Sequence, residues 1–225
     1  MDERLRIEFN EWARAGRGES MELGHRPVGE QAIARLSVPA HARVLDVGCG
    51  SGWATRLLAE SAKNGAVVGI DISDEMIRIA RMASASFTNI EYQVASAERL
   101  PFESLEFSHA FSMESLYYYD DVLAALKEIH RVLDRHGVFV AVIDLYQENR
   151  PSHQWIEKLN VPVHLLSIRQ YRSLFEQAGF AKVHDERLHD PALIPDNYSG
   201  SFKTPEDYRE YRQTGSLMLT GGAER

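Results

Sequence analysis

Three glycines on alternate positions, Gly48, Gly50 and Gly52, separate an apolar run from a helical pattern in the stretch VLDVGCGSGWATRLLAE. Glycine has no Cβ, so a turn built from glycines lets a ligand lie directly against the backbone. The helix that follows offers free N–H groups and a partial positive charge at its N-terminus. The next apolar run ends at Asp71, whose carboxylate can accept hydrogen bonds from both hydroxyls of a ribose. These residue types in this order predict a site for a nucleoside-containing ligand.

The spacing of the glycines narrows the choice of ligand. The dinucleotide fingerprint G-x-G-x-x-G requires a third glycine at the position that Trp53 occupies here. An indole at that position replaces the glycine that lets helix and strand pack closely around a pyrophosphate. No lysine follows the glycines as it does in a phosphate-binding P-loop. The pattern therefore disfavours both of these ligand classes, and the remaining structural alternative is a tight turn without a ligand.

Alternating strand-like and helix-like segments must position this loop. Strands are predicted over 43–48, 66–71, 90–94, 107–113 and 137–145. Apolar residues at helical spacing predict helices over 53–62, 74–84 and 121–135, with Gly137 as a stop. Alternation of this kind predicts a parallel sheet with helices on both faces, and the carboxyl ends of its strands form the usual ligand-binding edge.

The C-terminal third predicts a different arrangement. Its signals are a capping box at Ser167 and Gln170, a helix end at Gly179, a strand over 181–190, a loop over 190–200, a cap at Thr204 with Pro205 in the first helical position, and a final strand in GSLMLTGG. The two late strands lack a full crossover helix between them. We therefore expect an antiparallel hairpin at one edge of the sheet.

The first residues predict a helix that precedes the sheet. Its apolar stripe consists of Leu5, Phe9 and Trp12, and Gly16 and Gly18 break the helix. We expect residues 1–39 to form a helical lid over the ligand site of a domain that spans 40–225. The lid should lie near Tyr117–Tyr119 and the 150–165 insertion. The alternative is that the stripe packs on the flank of the sheet.

Composition limits the possible functions. The 225 residues are 44% hydrophobic and 26% charged, which fits one domain, or one domain with a lid. The net charge of −8 argues against broad nucleic-acid binding, although a weak basic patch occurs near the N-terminus (Arg4, Arg6, Arg14 and Arg17). No apolar run approaches the ~18 residues of a membrane span, and the start lacks a signal-peptide core. Cys49 is the only cysteine, which suits a reducing, cytoplasmic location.

Five segments in order carry a family resemblance. VLDVGCGSG resembles the first motif of class I S-adenosylmethionine-dependent methyltransferases, VVGIDISDEMIRIAR the second, and ASAERLPF the segment over the adenine; FSMESLYYYDD and LKEIHRVLDRHGVFVAVI are similar to the fourth and fifth strand regions. The resemblance covers roughly residues 40–185. It is nearest to the small-molecule branch that includes ubiquinone and menaquinone biosynthesis enzymes. It implies an α/β, doubly wound, Rossmann-like sheet of seven mostly parallel strands, with the last antiparallel.

The resemblance also implies the cofactor, S-adenosyl-L-methionine, with S-adenosyl-L-homocysteine as product, and a set of residues that bind it. Gly48 and Gly50 should admit the methionine part, Asp46 its amino group, Asp71 the ribose, Ile72 the adenine face, Ala97 and Glu98 the adenine edge, and Ser112 or Met113 should face the methionine end. At Ser96 the family often has an acid. A hydroxyl can accept the same bond from the adenine amino group, but without charge assistance.

The implied reaction is methyl transfer to a small-molecule acceptor. In-line placement and exclusion of water carry much of such a reaction, and a general base is needed only when the acceptor holds a proton with a high pKa. Candidate bases are His25, Glu114, Tyr117 and Tyr118, and the sequence does not choose among them. The histidines show no metal-ligand spacing, so no metal site is predicted. Trp155 and His164 lie where this family often contacts its acceptor.

Two other functions remain open on the sequence. A non-catalytic S-adenosylmethionine-binding protein would keep the same binding motifs, and an NAD-dependent oxidoreductase would share the fold type but not the glycine spacing. The acceptor, the atom methylated and the oligomeric state are not predicted.

Overall fold

The structure is a computed structural model that describes residues 2–194, 198 and 200–224. Seven strands form one sheet: β1 Arg43–Val47, β2 Ala66–Asp71, β3 Ile90–Val94, β4 Phe107–Met113, β5 Leu133–Ile143, β6 Ala181–Leu188 and β7 Ser216–Gly222. The helices are α1 Asp2–Arg14, α2 Arg17–Leu36, α3 Trp53–Ser61, α4 Asp74–Ala83, α5 Val122–Val132, α6 Ile168–Ala178 and α7 Pro205–Thr214. Two 3-10 segments, Leu116–Tyr118 and Arg150–Lys158, follow β4 and β5.

The strand order is β3-β2-β1-β4-β5-β7-β6. Strands β1 to β5 pair in parallel, whereas β7 is antiparallel to both β5 and β6. This confirms the predicted doubly wound, mostly parallel sheet with an antiparallel last strand. The chain order reverses beside β1, so the loops after β1, β2 and β4 meet at one edge of the sheet.

Side chains alternate between the two faces of the sheet, as the period of a strand requires. On β1, Leu45 and Val47 belong to the core that α5 and α6 cover, while Val44 belongs to the core under α2 and α3. All three side chains are fully buried. Burial on both faces explains why the strand is a nearly continuous apolar run in the sequence.

The helix signals of the C-terminal third are confirmed. Ser167 and Gln170 form both hydrogen bonds of a capping box, and α6 ends at Gly179, which has a φ of 104°. Thr204 caps α7 by accepting from the backbone N–H of Asp207. Of the predicted loop over 190–200, residues 195–197 and 199 lie outside the described residues.

Several predicted boundaries are wrong. The helix expected over 121–135 ends at Val132, and β5 begins at Leu133 instead of at Gly137. Leu133 is fully buried and pairs with Phe107 of β4, so tertiary packing extends the strand through the glycine that was expected to stop the helix. The strand expected to reach residue 190 ends at Leu188.

The N-terminal segment contains two helices where the sequence analysis predicts one. Gly16, with a φ of 70°, separates α1 from α2. Gly18 does not break a helix: it lies inside α2, where an added Cβ would come 3.1 Å from the Cβ of Ser51. Gly18 therefore allows α2 to approach the loop after β1 closely. Within the described part of the chain, no helix combines the length and apolarity that crossing a membrane requires.

Candidate active site

A cleft opens at the carboxyl edge of β1, β2 and β4. It holds about 1020 Å³ between its walls, solvent-open space included. The sheet loops contribute Asp46, Gly48–Ser51, Asp71, Ile72, Ala95–Glu98, Met113–Ser115 and Tyr118–Asp120; the N-terminal helices contribute Leu5, Phe9, Gly18, Met21 and His25. A volume of this size suits a nucleoside ligand, and most of the predicted cofactor residues lie together on its walls.

The three glycines of the first loop all have left-handed backbone conformations, with φ values of 74°, 51° and 77° at Gly48, Gly50 and Gly52. A Cβ on Gly48 would come 2.5 Å from the Cβ of Ser115, and one on Gly52 would come 2.2 Å from the hydroxyl of Tyr92. A Cβ on Gly50 would meet nothing within 4 Å. The outer glycines therefore permit packing, while the middle one leaves bare backbone beside the cleft.

Asp71 joins this loop to the end of β2. Its Oδ2 accepts the Gly50 N–H at 2.9 Å and its Oδ1 accepts the Ser73 N–H at 2.8 Å. Burial raises the pKa of Asp71, and these two backbone donors oppose the rise. Each carboxylate oxygen has a second lone pair. Asp71 can therefore hold the loop and still accept hydroxyls from a ribose, so the residues present fit the predicted cofactor.

Asp46 lies at the end of β1 and is 1% exposed. The Thr55 hydroxyl donates to its Oδ2 at 2.5 Å. Burial raises the pKa of Asp46 to about 7, and the Thr55 bond opposes that rise. Its carboxyl group therefore lies near half-protonation at neutral pH, and a neighbouring ammonium would favour the ionised form.

The predicted adenine segment lines the cleft next to Ile72. The Ser96 hydroxyl accepts weakly from the Glu98 N–H at 3.4 Å, so it retains capacity for another bond. The Glu98 carboxylate accepts from the Asp121 N–H at 3.2 Å, at the N-cap of α5. Ala97 is buried against the core below.

The two candidate residues at the end of β4 differ in their position relative to the cleft. Met113 lines the cleft, whereas Ser112 lies behind the wall. The Ser112 hydroxyl is 2.5 Å from that of Ser115, which in turn contacts the Val47 carbonyl and the Tyr119 hydroxyl. Ser112 is therefore placed to support the loop after β1, and Met113 is placed to contact a ligand.

The candidate bases converge on an acidic pair, the half-buried Glu114 and the buried Asp144. Glu114, with a φ of 55°, accepts from the Tyr117 hydroxyl at 2.7 Å and from the backbone N–H of Asp144. Asp144, which follows β5 and is 1% exposed, accepts from the Tyr211 hydroxyl at 2.7 Å. The His25 Nε2 lies 4.0 Å from the same Asp144 oxygen. Burial raises the pKa of Glu114 well above its usual value, with Asp144 adding to the rise.

The four predicted candidate bases occupy different positions around the cleft. His25, Glu114 and Tyr118 line the cleft, while Tyr117 bonds to Glu114 from behind. Potential ligand atoms of His25, Glu114 and Asp144 come within 4.8 Å of one another, but both Glu114 oxygens already accept protein donors. Asp144 was not predicted from the sequence, although a lone acid that follows a buried strand at the ligand edge was an available signal.

Helix α1 covers one side of the cleft. Leu5 and Phe9 line it, and the Phe9 ring meets Tyr118 edge-on at 4.9 Å between centroids. Asn10 fixes the helix to the start of α4, because it accepts from the Ser73 hydroxyl at 2.6 Å and donates to Asp74 at 2.9 Å. This placement is what the lid hypothesis requires.

A seven-stranded sheet of this order, with a glycine loop after β1 and an acid at the end of β2, defines a Rossmann-like nucleoside-binding protein of the methyltransferase type. Residues 45–141 match the Methyltransferase domain family. The methyltransferase chain in a complex with the Haloferax volcanii Trm112 methyltransferase activator is 33% identical, with a TM-score of 0.91 over 97% of this chain and 98% of that one. The chain belongs to the class I S-adenosylmethionine-dependent methyltransferases.

Curated relatives confirm the resemblance found in the motifs. The O-methyltransferase resE of Aspergillus sclerotiorum is 34% identical over 142 residues, which are 62% of this chain and 53% of that protein. The demethylmenaquinone methyltransferase of Staphylococcus saprophyticus is 25% identical over 187 residues, 71% of this chain and 78% of that one. The chain thus spans about half of the first relative and most of the second.

Proposed function

We propose that this protein transfers a methyl group from S-adenosylmethionine to a small-molecule acceptor. The observation that carries the proposal is the meeting of the glycine loop, Asp46 and Asp71 on one cleft at the carboxyl edge of the sheet. Similarity to an O-methyltransferase and to a demethylmenaquinone methyltransferase supports an acceptor of this kind.

Each wall of the cleft has a function in this proposal. Gly50 admits the methionine part beside bare backbone, and Gly48 lets Ser115 pack against the same turn. Asp46 pairs with the ammonium of the methionine part, and Asp71 accepts from the ribose. Ile72, Ser96, Ala97 and Glu98 surround the adenine, and Met113 faces the methionine end. When bound, the cofactor supplies a methyl group on positively charged sulfur. The protein contributes placement and exclusion of water, for which α1 is the lid.

Ligand-induced stabilisation tests this proposal. S-adenosylhomocysteine at 100 times its Kd should stabilise the fold by about 2.7 kcal/mol and raise the Tm, whereas NAD at equal concentration should not. A denaturing mass spectrum of small molecules that co-purify with the protein would identify the cofactor directly. Stabilisation by NAD alone would contradict the assignment. Binding without turnover of any acceptor would favour a non-catalytic binding protein.

The Haloferax complex supports a second proposal, that this chain binds an activator protein of the Trm112 kind. The similarity extends over nearly the whole of both chains, so it includes whatever surface the activator covers. Purified Haloferax volcanii Trm112 should shift this protein to a larger species in size-exclusion chromatography and raise its Tm. Separate elution at micromolar concentrations would contradict the proposal.

A further inference from the structure

A second cavity shares His25 with the cofactor cleft. It holds about 1140 Å³, solvent-open space included, and α2, the Arg150–Lys158 segment and α7 contribute to its walls. His25 lines both cavities. Asp144 lines the second, and its backbone N–H bonds to Glu114, which lines the first. The two spaces therefore meet at the cluster of His25, Glu114 and Asp144.

Aromatic rings form much of the wall of this second cavity. Trp155 lies 5.6 Å from Phe202 and 5.5 Å from Tyr211 between ring centroids, and Phe202 lies 4.8 Å from Tyr211 and 5.5 Å from Tyr208. Rings held this closely present rigid, flat apolar surface. Such a wall suits a planar ring better than a flexible polar chain.

Two buried polar atoms on residues of this wall have no protein partner. One is the acceptor Asp144 Oδ1, on a side chain that is 2% exposed, and the other is the Arg212 Nε–H, on a side chain that is 7% exposed. The remaining atoms of both groups are satisfied. Tyr211 donates to Asp144 Oδ2, and the Arg212 nitrogens bond to Tyr208 and Asp190. An unpartnered buried polar atom needs an explanation, which an ordered water, an ion or a ligand can provide.

The polar side chains of this wall indicate which groups a ligand could carry. The Arg212 Nε–H can donate to an acceptor, and the imidazole of His25 can accept from a donor. A hydroxyl on an aromatic ring can act in either way, since its oxygen accepts and its proton is donated. A cationic amine would satisfy Asp144 but would also meet the guanidinium of Arg212 in the same cavity, which opposes its binding.

His25 has the position and protonation state of a base. Burial lowers its pKa, with Asp144 opposing, so the neutral imidazole is favoured at pH 7. The titratable groups of this cluster are Asp144 after β5, Glu114 after β4, Tyr211 on α7 and Tyr117 behind Glu114. Asp144 lies close enough to stabilise the imidazolium that forms when His25 takes a proton.

We propose that the methyl acceptor is an aromatic hydroxyl compound bound in this second cavity, with His25 as its general base and Asp144 as the residue that positions His25. This inference depends on the methyl transfer proposed above. The acceptor oxygen bonds to the methyl carbon while the carbon–sulfur bond breaks and its electron pair returns to sulfur. The hydroxyl proton passes to His25 Nε2, so the products are an aryl methyl ether, S-adenosylhomocysteine and an imidazolium paired with Asp144.

Binding of three matched probes tests the cavity. The full chain, saturated with S-adenosylhomocysteine, is titrated with 7-hydroxycoumarin, 7-aminocoumarin and coumarin, and binding is followed by fluorescence. The hydroxyl compound should bind at least about tenfold more tightly than the other two. Asp144→Asn should remove most of that preference while leaving affinity for S-adenosylhomocysteine unchanged. Tighter binding of the amine, or no binding of any probe, would overturn the proposal. Because cofactor binding is measured separately, either result leaves the proposed function in place.

The pH dependence of turnover tests the base. Methylation of 7-hydroxycoumarin by His25→Asn should be about 100-fold slower than by the wild type at pH 7. The deficit should shrink as pH rises, because an already ionised hydroxyl needs no base. His41→Gln, at an exposed position before β1, is the matched control and should behave as wild type. An equal deficit at every pH would show a purely structural effect, and no methylated product from the wild type would also overturn the role of His25.

Discussion

The proposed pairing of Asp46 with the cofactor ammonium should couple cofactor binding to pH, because burial raises the pKa of Asp46 to about 7. An ammonium bound beside it favours the carboxylate, so binding of S-adenosylhomocysteine should release about half a proton at pH 7. Affinity should increase from pH 6 to pH 8, since the free carboxyl is protonated below its pKa and must ionise on binding. Calorimetry in two buffers of different ionisation enthalpy measures the proton release. Asp46→Asn should bind more weakly at pH 8 and should lose this release.

Asp71 should contribute strongly to affinity. A hydrogen bond to a charged group contributes about 1.5–3 kcal/mol, so Asp71→Ala should weaken binding of S-adenosylhomocysteine roughly ten- to hundredfold. Part of that loss comes from the loop after β1, because Asp71 also holds the Gly50 N–H. Calorimetry provides the affinities. Asp185→Ala removes a carboxylate from β6, outside the cleft, and should bind as wild type. Equal affinities of the two variants would exclude Asp71 from the site.

Among the elements, α1 is the one expected to respond to the ligand. Asn10 connects it to Ser73 and Asp74, and Phe9 lines the cleft. Amides of residues 2–14 should therefore exchange more slowly when S-adenosylhomocysteine binds, as measured by hydrogen exchange and mass spectrometry. Asn10→Ala should reduce that protection and lower acceptor turnover more than cofactor affinity. Glu11→Ala, on the exposed side of the same helix, is the control.

The hypothesis that α1 acts as a lid would be contradicted by the following result. If residues 2–14 exchange equally with and without ligand, and Asn10→Ala turns over an acceptor like the wild type, the helix packs passively. The acceptor site would then consist of the strand-end loops, α2, the Arg150–Lys158 segment and α7, without α1.

Elements with strong local signals were predictable from the sequence. The capping box at Ser167 and the alternation of strand and helix through β4 needed no tertiary information. Helix α2 was not predicted because Gly18 and Pro27 both lie within it, even though Val28, Ala32 and Leu36 share one buried face. Gly18 lets the helix pack closely against Ser51, which a single sequence does not show.

Only the local part of the candidate site was predictable from the sequence. The spacing of Gly50 and Asp71 predicted their positions, because the loop after β1 and the end of β2 are close together in sequence. The contact between His25 and Asp144 joins residues that are far apart in the chain, and Tyr211 reaches the same carboxylate from α7. Nothing in the periodicity of any one segment predicts that meeting, so the second cavity became visible only in three dimensions.

Over the entire surface, the net charge of −8 opposes binding to a polyanion. Two of the four arginines near the N-terminus form ion pairs: Arg6 pairs with Glu3 and Asp74, and Arg14 pairs with Glu75. This chain alone should therefore not bind a labelled 20-nucleotide RNA below about 10 µM at 0.15 M salt. Fluorescence anisotropy checks this. Submicromolar affinity that weakens steeply with salt would contradict it.

The place of β7 has a consequence for synthesis. It is the last strand in sequence but lies between β5 and β6, and a ribosome releases the chain from its N-terminus. Until residues 216–222 emerge, β5 has one unpaired edge and β6 has no neighbour in the sheet. Tyr211 and Arg212 precede β7 directly, whereas the residues that line the cofactor cleft end at Asp120. A nascent chain therefore has all the residues proposed to bind the methyl donor well before it has those proposed to hold the acceptor.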